Sequence, residues 1–313
     1  MKNVRIWAWI FAILATVSSM AMAQQVTATD IHSKAFCLTA VFKGLQMANP
    51  TNALWSTPKL AQENFMTTYS SGAKADLPQL KDKVEAIATN DSQRLNDWFA
   101  DHGFPGMNVQ ILQGGQAVGT VFDLLVDWKV PGQKKDISVW RGESLYDYYE
   151  GAKMLTSDHG FTGFKLDGHN YPLFQLNTRQ GWQVYLVESA DGDDPEAFQL
   201  PERAKALLAL VRSSVDYEEL NFPVVQMATD VDISWMAGMQ ARDFRIDEAI
   251  KKIKLHLDEK GARAESAVAF TSRGLGPPFY KIQRPFYVIF TKDGLNFPPF
   301  VALAAPDTWA KTR

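Results

Sequence analysis

The sequence predicts a single α+β domain, with helical patterns in the first hundred residues and strand patterns in most of the rest. Of its 313 residues, 46% are apolar, 21% charged and 12% aromatic, which excludes a low-complexity, collagen-like or highly charged disordered chain. Glycine and proline are scattered rather than pooled, and no internal repeat or long linker divides the chain. We therefore expect one large mixed domain.

The first residues have the pattern of a cleaved secretory signal. Lys2 and Arg5 precede an apolar run over 6–17, and small residues lead from there to Ala23. The apolar run is shorter than the ~20 residues that a membrane helix needs. We expect residues 1–23 to be the signal and residues 24–313 to form a secreted or periplasmic domain with no membrane contact after cleavage.

Charge and cysteine content exclude some classes of protein. The formal net charge is −3 at pH 7 and no basic cluster stands out, so a nucleic-acid partner is not expected. Cys37 is the single cysteine, which excludes an intrachain disulfide. It lies between Phe36 and Leu38, and we interpret it as a buried small hydrophobe.

Apolar spacing and end signals predict five helices. The N-terminal one ends at Asn49-Pro50, and Pro201 opens the last. The predicted helices are 31–46, 58–69, 77–88, a segment through Leu95 to Phe99 capped by Asp91 or Ser92, and 200–211.

Runs rich in β-branched and aromatic residues predict the strands. In the segment 250–257, alternation of apolar and basic residues puts Ile253, Leu255 and Leu257 on one face and Lys252, Lys254 and His256 on the other. The predicted strands are 121–130, 182–187, 220–227 with a break at Pro223, 250–257, 286–290 and 297–303.

Common catalytic and metal-binding signatures are absent from the sequence. It has no nucleophile elbow, zinc-protease helix, P-loop or paired-cysteine site. The five histidines are widely separated, so we assign no metal and no cofactor. They are His32, His102, His159, His169 and His256.

Two further clusters have a functional and a structural interpretation. The acidic run 191–194 could bind calcium but lacks the later glutamate of an EF-hand loop, so a solvated turn is favoured. Trp140 with Tyr146, Tyr148 and Tyr149 could stack on a sugar, although packing in a core or along an edge strand is favoured.

A succession of segments in the last third resembles the carboxy-terminal part of a serpin. The strand 250–258 runs into Glu259-Lys260-Gly261 and a string of small residues, and Gln283-Arg284-Pro285-Phe286 lies at the centre of the segment 280–290. Weaker matches cover most of the mature chain: Asn52, Thr57-Pro58, Gly72-Ala73, 95–98 and Phe222-Pro223. The resemblance implies a serpin-like single domain with a large mixed β-sheet, further sheets, surrounding helices and a reactive loop at about 261–279.

The resemblance also implies inhibition of serine proteases by a suicide-substrate mechanism, in which the cleaved loop enters the main sheet as a new strand. The loop hinge would comprise Glu259 and Gly261 with four residues that share one strand face, namely Ala262, Ala264, Ser266 and Val268. That face carries no charge, whereas the opposite face carries Arg263 and Glu265. The sequence therefore permits insertion without burying a charge.

Counting residues from either of the motifs that flank the predicted loop puts the reactive bond close to Arg273, Gly274 and Leu275. Arg273 is the first choice for the residue that enters the protease pocket, because a cation pairs with the acidic pocket floor of trypsin-like enzymes, and Leu275 is the second. The chain itself would contribute no catalytic residue. Its expected partner is a trypsin-like serine protease, and we expect the chain to be a monomer.

Two other functions stay open at this stage. The body is shortened between Ala73 and Leu95 relative to a full serpin, so a non-inhibitory serpin-like binding protein is the alternative. An exported hydrolase with an unrecognised site is the third hypothesis.

Overall fold

The computed structural model describes residues 31–142, 145–242, 244–262 and 279–312. The predicted signal and most of the predicted loop, residues 263–278, lie outside these ranges. The described residues form four α-helices, α1 Leu38–Ala48, α2 Leu60–Asp76, α3 Ser92–Asp101 and α4 Leu200–Ala209, and short 3-10 helices at Leu77–Leu80, Ala197–Gln199 and Ser234–Met236. None of the described helices is long and apolar enough to cross a membrane.

Nineteen strands lie in the described ranges. In chain order they are β1 Lys34–Cys37, β2 Val84–Thr89, β3 Ala117–Phe122, β4 Val126–Asp127, β5 Gln133–Gly142, β6 Leu145–Leu155, β7 Phe161–Leu166, β8 Leu173–Asn177, β9 Gln183–Glu188, β10 Arg212–Val215, β11 Glu219–Pro223, β12 Val225–Asp232, β13 Gln240–Ala241, β14 Phe244–Arg245, β15 Ile250–Leu257, β16 Gly261–Ala262, β17 Phe279–Lys281, β18 Phe286–Thr291 and β19 Phe300–Ala304.

The largest sheet has seven strands in the order β1-β19-β18-β9-β8-β7-β10. Every pairing in it is antiparallel. Two of its interior strands, β18 and β19, are buried almost throughout, because they are covered on both faces. Aromatic side chains extend this core to α1 and α2, where the Phe42 and Phe65 rings stack with centroids 5.4 Å apart.

The predicted α+β fold class is confirmed, with one difference in the pairing. The sequence predicts that the large sheet is mixed, whereas mixed pairing occurs in the four-stranded sheet β17-β11-β6-β5. There β17 runs parallel to β11, and the other pairs are antiparallel.

Two antiparallel ribbons contribute to the candidate site: β2–β3 packs against helix α1, and β12–β15 contacts β1 through β12. Thr120 on β3 donates a hydrogen bond to the carbonyl of Ala40 on α1, at 3.0 Å. Gly119, the preceding residue, faces α3 instead: a Cβ there would lie 2.7 Å from Leu95, so only glycine allows this close approach. The ribbon β2–β3 is therefore packed between α1 on one face and α3 on the other.

The predicted helices at 58–69 and 200–211 and the helix capped near Asp91 are confirmed. Asp91 is the cap, since its carboxylate accepts hydrogen bonds from the amides of Gln93 and Arg94 at 2.9 and 3.2 Å. The predicted helix at 77–88 is wrong, because a 3-10 turn ends at Leu80 and β2 then pairs with β3. A helix pattern was overridden there by a distant partner strand.

The predicted helix at 31–46 is correct only from Leu38 onward. Residues 34–37 form β1, because they pair with β19 at the other end of the chain. Cys37 ends this strand and is buried, as predicted.

The predicted strand 250–257 is confirmed at both ends as β15. The predicted break at Pro223 is also confirmed, because the segment 220–227 divides there into β11 and β12, which lie in different sheets. In place of the predicted strand 121–130 the chain forms two shorter strands that begin four residues earlier, β3 at Ala117–Phe122 and β4 at Val126–Asp127. The strands β5 to β8 were not predicted from the sequence.

Candidate functional site

The chain reverses direction in a tight turn between β15 and β16. The amide of Asp258 donates to the carbonyl of Gly261 at 3.0 Å, which closes the turn around Glu259 and Lys260. Beyond the turn, β16 pairs antiparallel with β4, so that Gly261 lies opposite Asp127. The start of the predicted loop is therefore a short strand between β15 and β4.

Glycine is required at the first position of β16. A Cβ on Gly261 would lie 2.3 Å from the carbonyl oxygen of Val126, which is backbone and cannot move aside. Gly261 therefore lets the chain approach β4 closely enough to pair with it.

Hydrogen bonds from Trp128 and Gly132 stabilise the turn. The Trp128 side chain is fully buried, and its indole N–H donates to the carbonyl of Asp258 at 2.9 Å. The backbone amide of Trp128 donates to the carbonyl of Lys260 at 3.0 Å, and the amide of Gly132 donates to that of Glu259 at 2.6 Å. Three successive carbonyls of the turn thus accept hydrogen bonds from the segment that follows β4.

The Asp258 carboxylate stabilises the turn from within. One of its oxygens accepts the amides of Lys260 and Gly261 at 2.8 and 3.0 Å, and the other lies 3.2 Å from Nε2 of His256. Burial opposes ionisation of this group, but hydrogen bonds from His256 and from the two amides outweigh it and hold the pKa of Asp258 below its ordinary value. The carboxylate is therefore charged at neutral pH.

Below the turn, the edges of β3 and β15 face an open gap. Within the described residues β3 pairs only with β2, and β15 pairs along its length only with β12. Consecutive residues of both strands, from both of their faces, line a single cavity of about 880 Å³. Because both faces of each strand contribute, it is the strand edges, with their backbone groups, that border the gap.

Helix α1 forms the floor of this cavity, and α3 with the segment after it forms the cover. That segment is tied back along α3: the Asn96 side chain exchanges two hydrogen bonds with the backbone of Val109, and Ser92 accepts the amide of Ile111 at 2.8 Å. From the other side, the Lys254 ammonium donates to the carbonyl of Gly103. The cover is thus tied to β15 by Lys254 and packs on β3 through the close approach of Leu95 to Gly119.

One cation lies in the interior of the site. Lys251 is 9% exposed, because it shares the inward face of β15 with Ile253, Leu255 and Leu257. Its Nζ donates to the carbonyl of Cys37 at 3.1 Å and lies 3.8 Å from the ring centroid of Phe36. Burial lowers the pKa of Lys251 to about 8, and no carboxylate forms an ion pair with it among the described residues.

The far end of the predicted loop is anchored at a different place. Glu188, at the end of β9, is buried and accepts the hydroxyl of Tyr280 at 2.6 Å and the amides of Gln283 and Arg284 at 2.7 and 3.1 Å. Burial raises the pKa of Glu188 despite these hydrogen bonds. Strand β17 is also paired with β11, so both flanks of residues 263–278 are fixed to the body.

Some of the predicted hinge and reactive-bond residues lie within the described ranges, and the others lie outside them. Glu259 and Gly261 lie in the turn and Ala262 follows in β16. The remaining ones lie outside the described residues and stay predictions: Ala264, Ser266, Val268, Arg273, Gly274 and Leu275.

Sequence reasoning missed four residues that build the site: Trp128, Asp258, Lys251 and Glu188. Asp258 directly precedes the Glu259-Lys260-Gly261 motif, which was a usable signal. The apolar alternation in β15 also showed which face Lys251 would share. The partners of Trp128 and Glu188 are more than 90 residues away along the chain, and no local pattern points to them.

The structure shows what the residues of the acidic run 191–194 and of the aromatic cluster contact. Asp191, Asp193 and Asp194 form ion pairs with basic side chains, those of Arg284, Arg203 and Lys34 respectively. Within the described chain no group of three or more His, Cys, Asp or Glu side chains could hold a metal ion. In the aromatic cluster Tyr149 is buried against Trp309, whereas Trp140, Tyr146 and Tyr148 are exposed on the sheet.

Comparison with solved structures identifies the architecture. It is similar to a serpin from the trematode Schistosoma haematobium, with a TM-score of 0.56 at 12% identity, covering 87% of this chain and 93% of that one. It is also similar to human thyroxine-binding globulin complexed with thyroxine, with a TM-score of 0.51 at 12% identity, covering 85% of this chain and 96% of that one. This chain has a serpin-like fold. No family model and no curated protein matches its sequence.

The serpin-like fold confirms what the carboxy-terminal motifs predicted about architecture. At 12% identity the similarity establishes the fold and leaves the activity to be argued from the site. The roles of Gly261 and Lys251 in this serpin-like chain can therefore be tested by substitution.

Replacement of Gly261 by alanine should disrupt the turn, because the new Cβ would clash with the Val126 carbonyl. We expect the free energy of unfolding to fall by about 1–3 kcal/mol, measured by urea denaturation. Gly44→Ala is the matched control: in helix α1 a Cβ meets Thr120 at an ordinary 3.6 Å, so stability should rise slightly. Equal effects of the two substitutions would contradict the close approach of β16 to β4.

Lys251→Met should make the protein more stable at pH 7, by up to about 3 kcal/mol, because it removes a buried ammonium. The pKa of Lys251 is about 8 when folded and ordinarily 10.5. Between these values the unfolded chain binds more protons, so wild-type stability should rise with pH relative to the variant. Urea denaturation from pH 7 to 10 measures this, with Lys43→Met on α1 as a control for the substitution itself. A wild-type-to-variant difference independent of pH would contradict the burial of the charge.

Proposed function

We propose that this chain is an exported inhibitor of serine proteases that acts as a suicide substrate through cleavage and insertion of the loop at about 261–279. The signal pattern at 1–23 supports a secreted or periplasmic location. In this proposal the chain performs no catalysis, requires no cofactor and binds a trypsin-like protease as a monomer.

The observation that carries the proposal is the position of β16 above the gap. This strand already lies antiparallel to β4 and beside β15, in line with the space between β3 and β15. A chain that continued from Ala262 in the same direction would run between two unpaired strand edges. It could then form ladder hydrogen bonds on both sides.

The lengths of the elements support insertion. Sixteen residues, 263–278, connect the two anchored flanks, and when extended they reach roughly 50 Å. Strand β15 has eight residues, which is about 27 Å. The ten residues before Arg273, 263–272, reach roughly 33 Å when extended. They are therefore long enough to fill the gap, but only after cleavage releases them from β17.

Cleavage supplies the covalent step. The protease serine attacks the carbonyl carbon of Arg273, the bond to Gly274 breaks, and the new amine of Gly274 takes the proton that the protease histidine carries. Arg273 is then held to the serine as an ester. Insertion of the loop while this ester persists would carry the protease along and trap it.

A non-inhibitory binding protein is the second candidate, favoured by one observation. Thyroxine-binding globulin, named for its ligand, is among the similar structures, and the cavity of about 880 Å³ offers space for a small molecule. In that case the loop would be cleaved without trapping the protease.

Incubation with a trypsin-like protease should give a denaturant-stable complex on a gel, at the summed mass less the released fragment. Arg273→Ala should abolish this band or move specificity toward proteases that accept Leu275, because the cation selected by the pocket is lost. Lys43→Ala, on α1 and away from the turn and the loop, is the control and should keep the band. Normal cleavage of the loop with no complex from any serine protease would refute inhibition and favour the second candidate.

Ala264→Arg should turn the inhibitor into a substrate, because it puts a long cation on the face that insertion buries. Glu265→Arg, one position along and on the opposite face, is the matched control and should leave trapping largely intact. The readout is the ratio of complexed to cleaved protein on a denaturing gel. Equal trapping by both variants would show that the predicted faces are assigned wrongly.

A further inference from the structure

The cavity between β3 and β15 contains a charge that loop insertion does not require. The Lys251 ammonium has three N–H donors, and the Cys37 carbonyl accepts one of them. In the described part of the chain no carboxylate pairs with it. A buried cation without an anion destabilises the fold, so the lysine is explained best by a partner that is not part of the protein.

The surroundings of Lys251 are mostly apolar. Helix α1 contributes Ala40, Val41 and Leu45, and α3 contributes Leu95 and Phe99. The volume of about 880 Å³ is within the range of about 300–1,000 Å³ that is typical of small-molecule sites. A hydrocarbon would therefore be taken out of water along these walls.

The charged side chains that line the cavity leave Lys251 as the buried cation that could meet an anion. Arg245 is paired with Asp247 at 3.4 Å and Lys252 with Asp230 at 3.0 Å, and the Lys254 ammonium donates to the carbonyl of Gly103. The turn around Leu112, whose side chain is 74% exposed, forms part of the rim, so the cavity is reached from solvent at this end.

We propose that this cavity binds an aliphatic monocarboxylate, whose carboxylate pairs with the Lys251 ammonium while its hydrocarbon chain lies along the apolar face of α1. One negative charge matches the one buried cation, and a carboxylate oxygen accepts the N–H donors that the Cys37 carbonyl leaves unused. The apolar side chains that α1 and α3 contribute to the lining match the hydrocarbon chain. The ligand occupies the space that an inserted loop would fill, so the two are alternative occupants.

This inference does not depend on inhibition. The binding experiment uses the intact mature protein without any protease, so a protein that inhibits nothing could still bind the carboxylate. Conversely, absence of binding would leave the proposal of loop insertion untouched.

Titration calorimetry at pH 7 with sodium decanoate tests the site. We expect one molecule to bind per chain, and we expect octanoate to bind about tenfold more weakly, because it buries two fewer methylenes. Butanoate should show no measurable binding. Lack of decanoate binding, or affinity independent of chain length, would overturn the proposal.

Substitutions distinguish the contribution of the Lys251 charge to binding from that of the cavity walls. Lys251→Met should weaken decanoate binding at least tenfold and leave 1-decanol binding unchanged, because only the carboxylate uses the ammonium. Val118→Trp, on the β3 wall, should weaken both ligands by filling the cavity. Lys43→Met, on α1 but outside the lining, should affect neither. Unfolding curves establish that each variant is folded, and equal decanoate affinity in wild type and Lys251→Met would refute the assignment.

Discussion

The turn from Asp258 to Gly261 is the constraint on which the arrangement of the candidate site depends. It closes through the hydrogen bond between these two residues, is held by the Asp258 carboxylate and accepts the indole N–H of Trp128. Because Gly261 has no side chain, the returning strand can approach β4 and join it to β15. Without this turn, β16 would not connect the end of β15 to β4, the strand that follows the ribbon β2–β3 along the chain.

The gap below the turn is costly to maintain. Unpaired strand edges, a large cavity and the buried ammonium of Lys251 each destabilise a fold, and here they occur together. The seven-stranded sheet offsets this cost, since β18 and β19 are buried almost throughout. The densely buried sheet is therefore separate from the gap at which we propose that a strand or a ligand is added.

The two flanks of the predicted loop are held by different means. Before it, Gly261 is fixed by backbone pairing and by Asp258. After it, Glu188 accepts three hydrogen bonds, two of them from the amides of Gln283 and Arg284. The Gln283-Arg284-Pro285-Phe286 motif is thus tied to the sheet that forms the core, so the second anchor belongs to the rigid part of the fold.

The sequence by itself determined the α+β class, the strand 250–257 with its two faces, the burial of Cys37 and the resemblance that predicts a loop hinge at Glu259 and Gly261. These features depend on local periodicity and on contiguous motifs. Tertiary structure alone decided that 84–89 is a strand, that Trp128 clamps the turn and that Lys251 is a buried cation facing a cavity. The physical reason is that each of these depends on partners far along the chain, and the hydrogen bonds and burial that such partners supply outweigh the local preference of the segment.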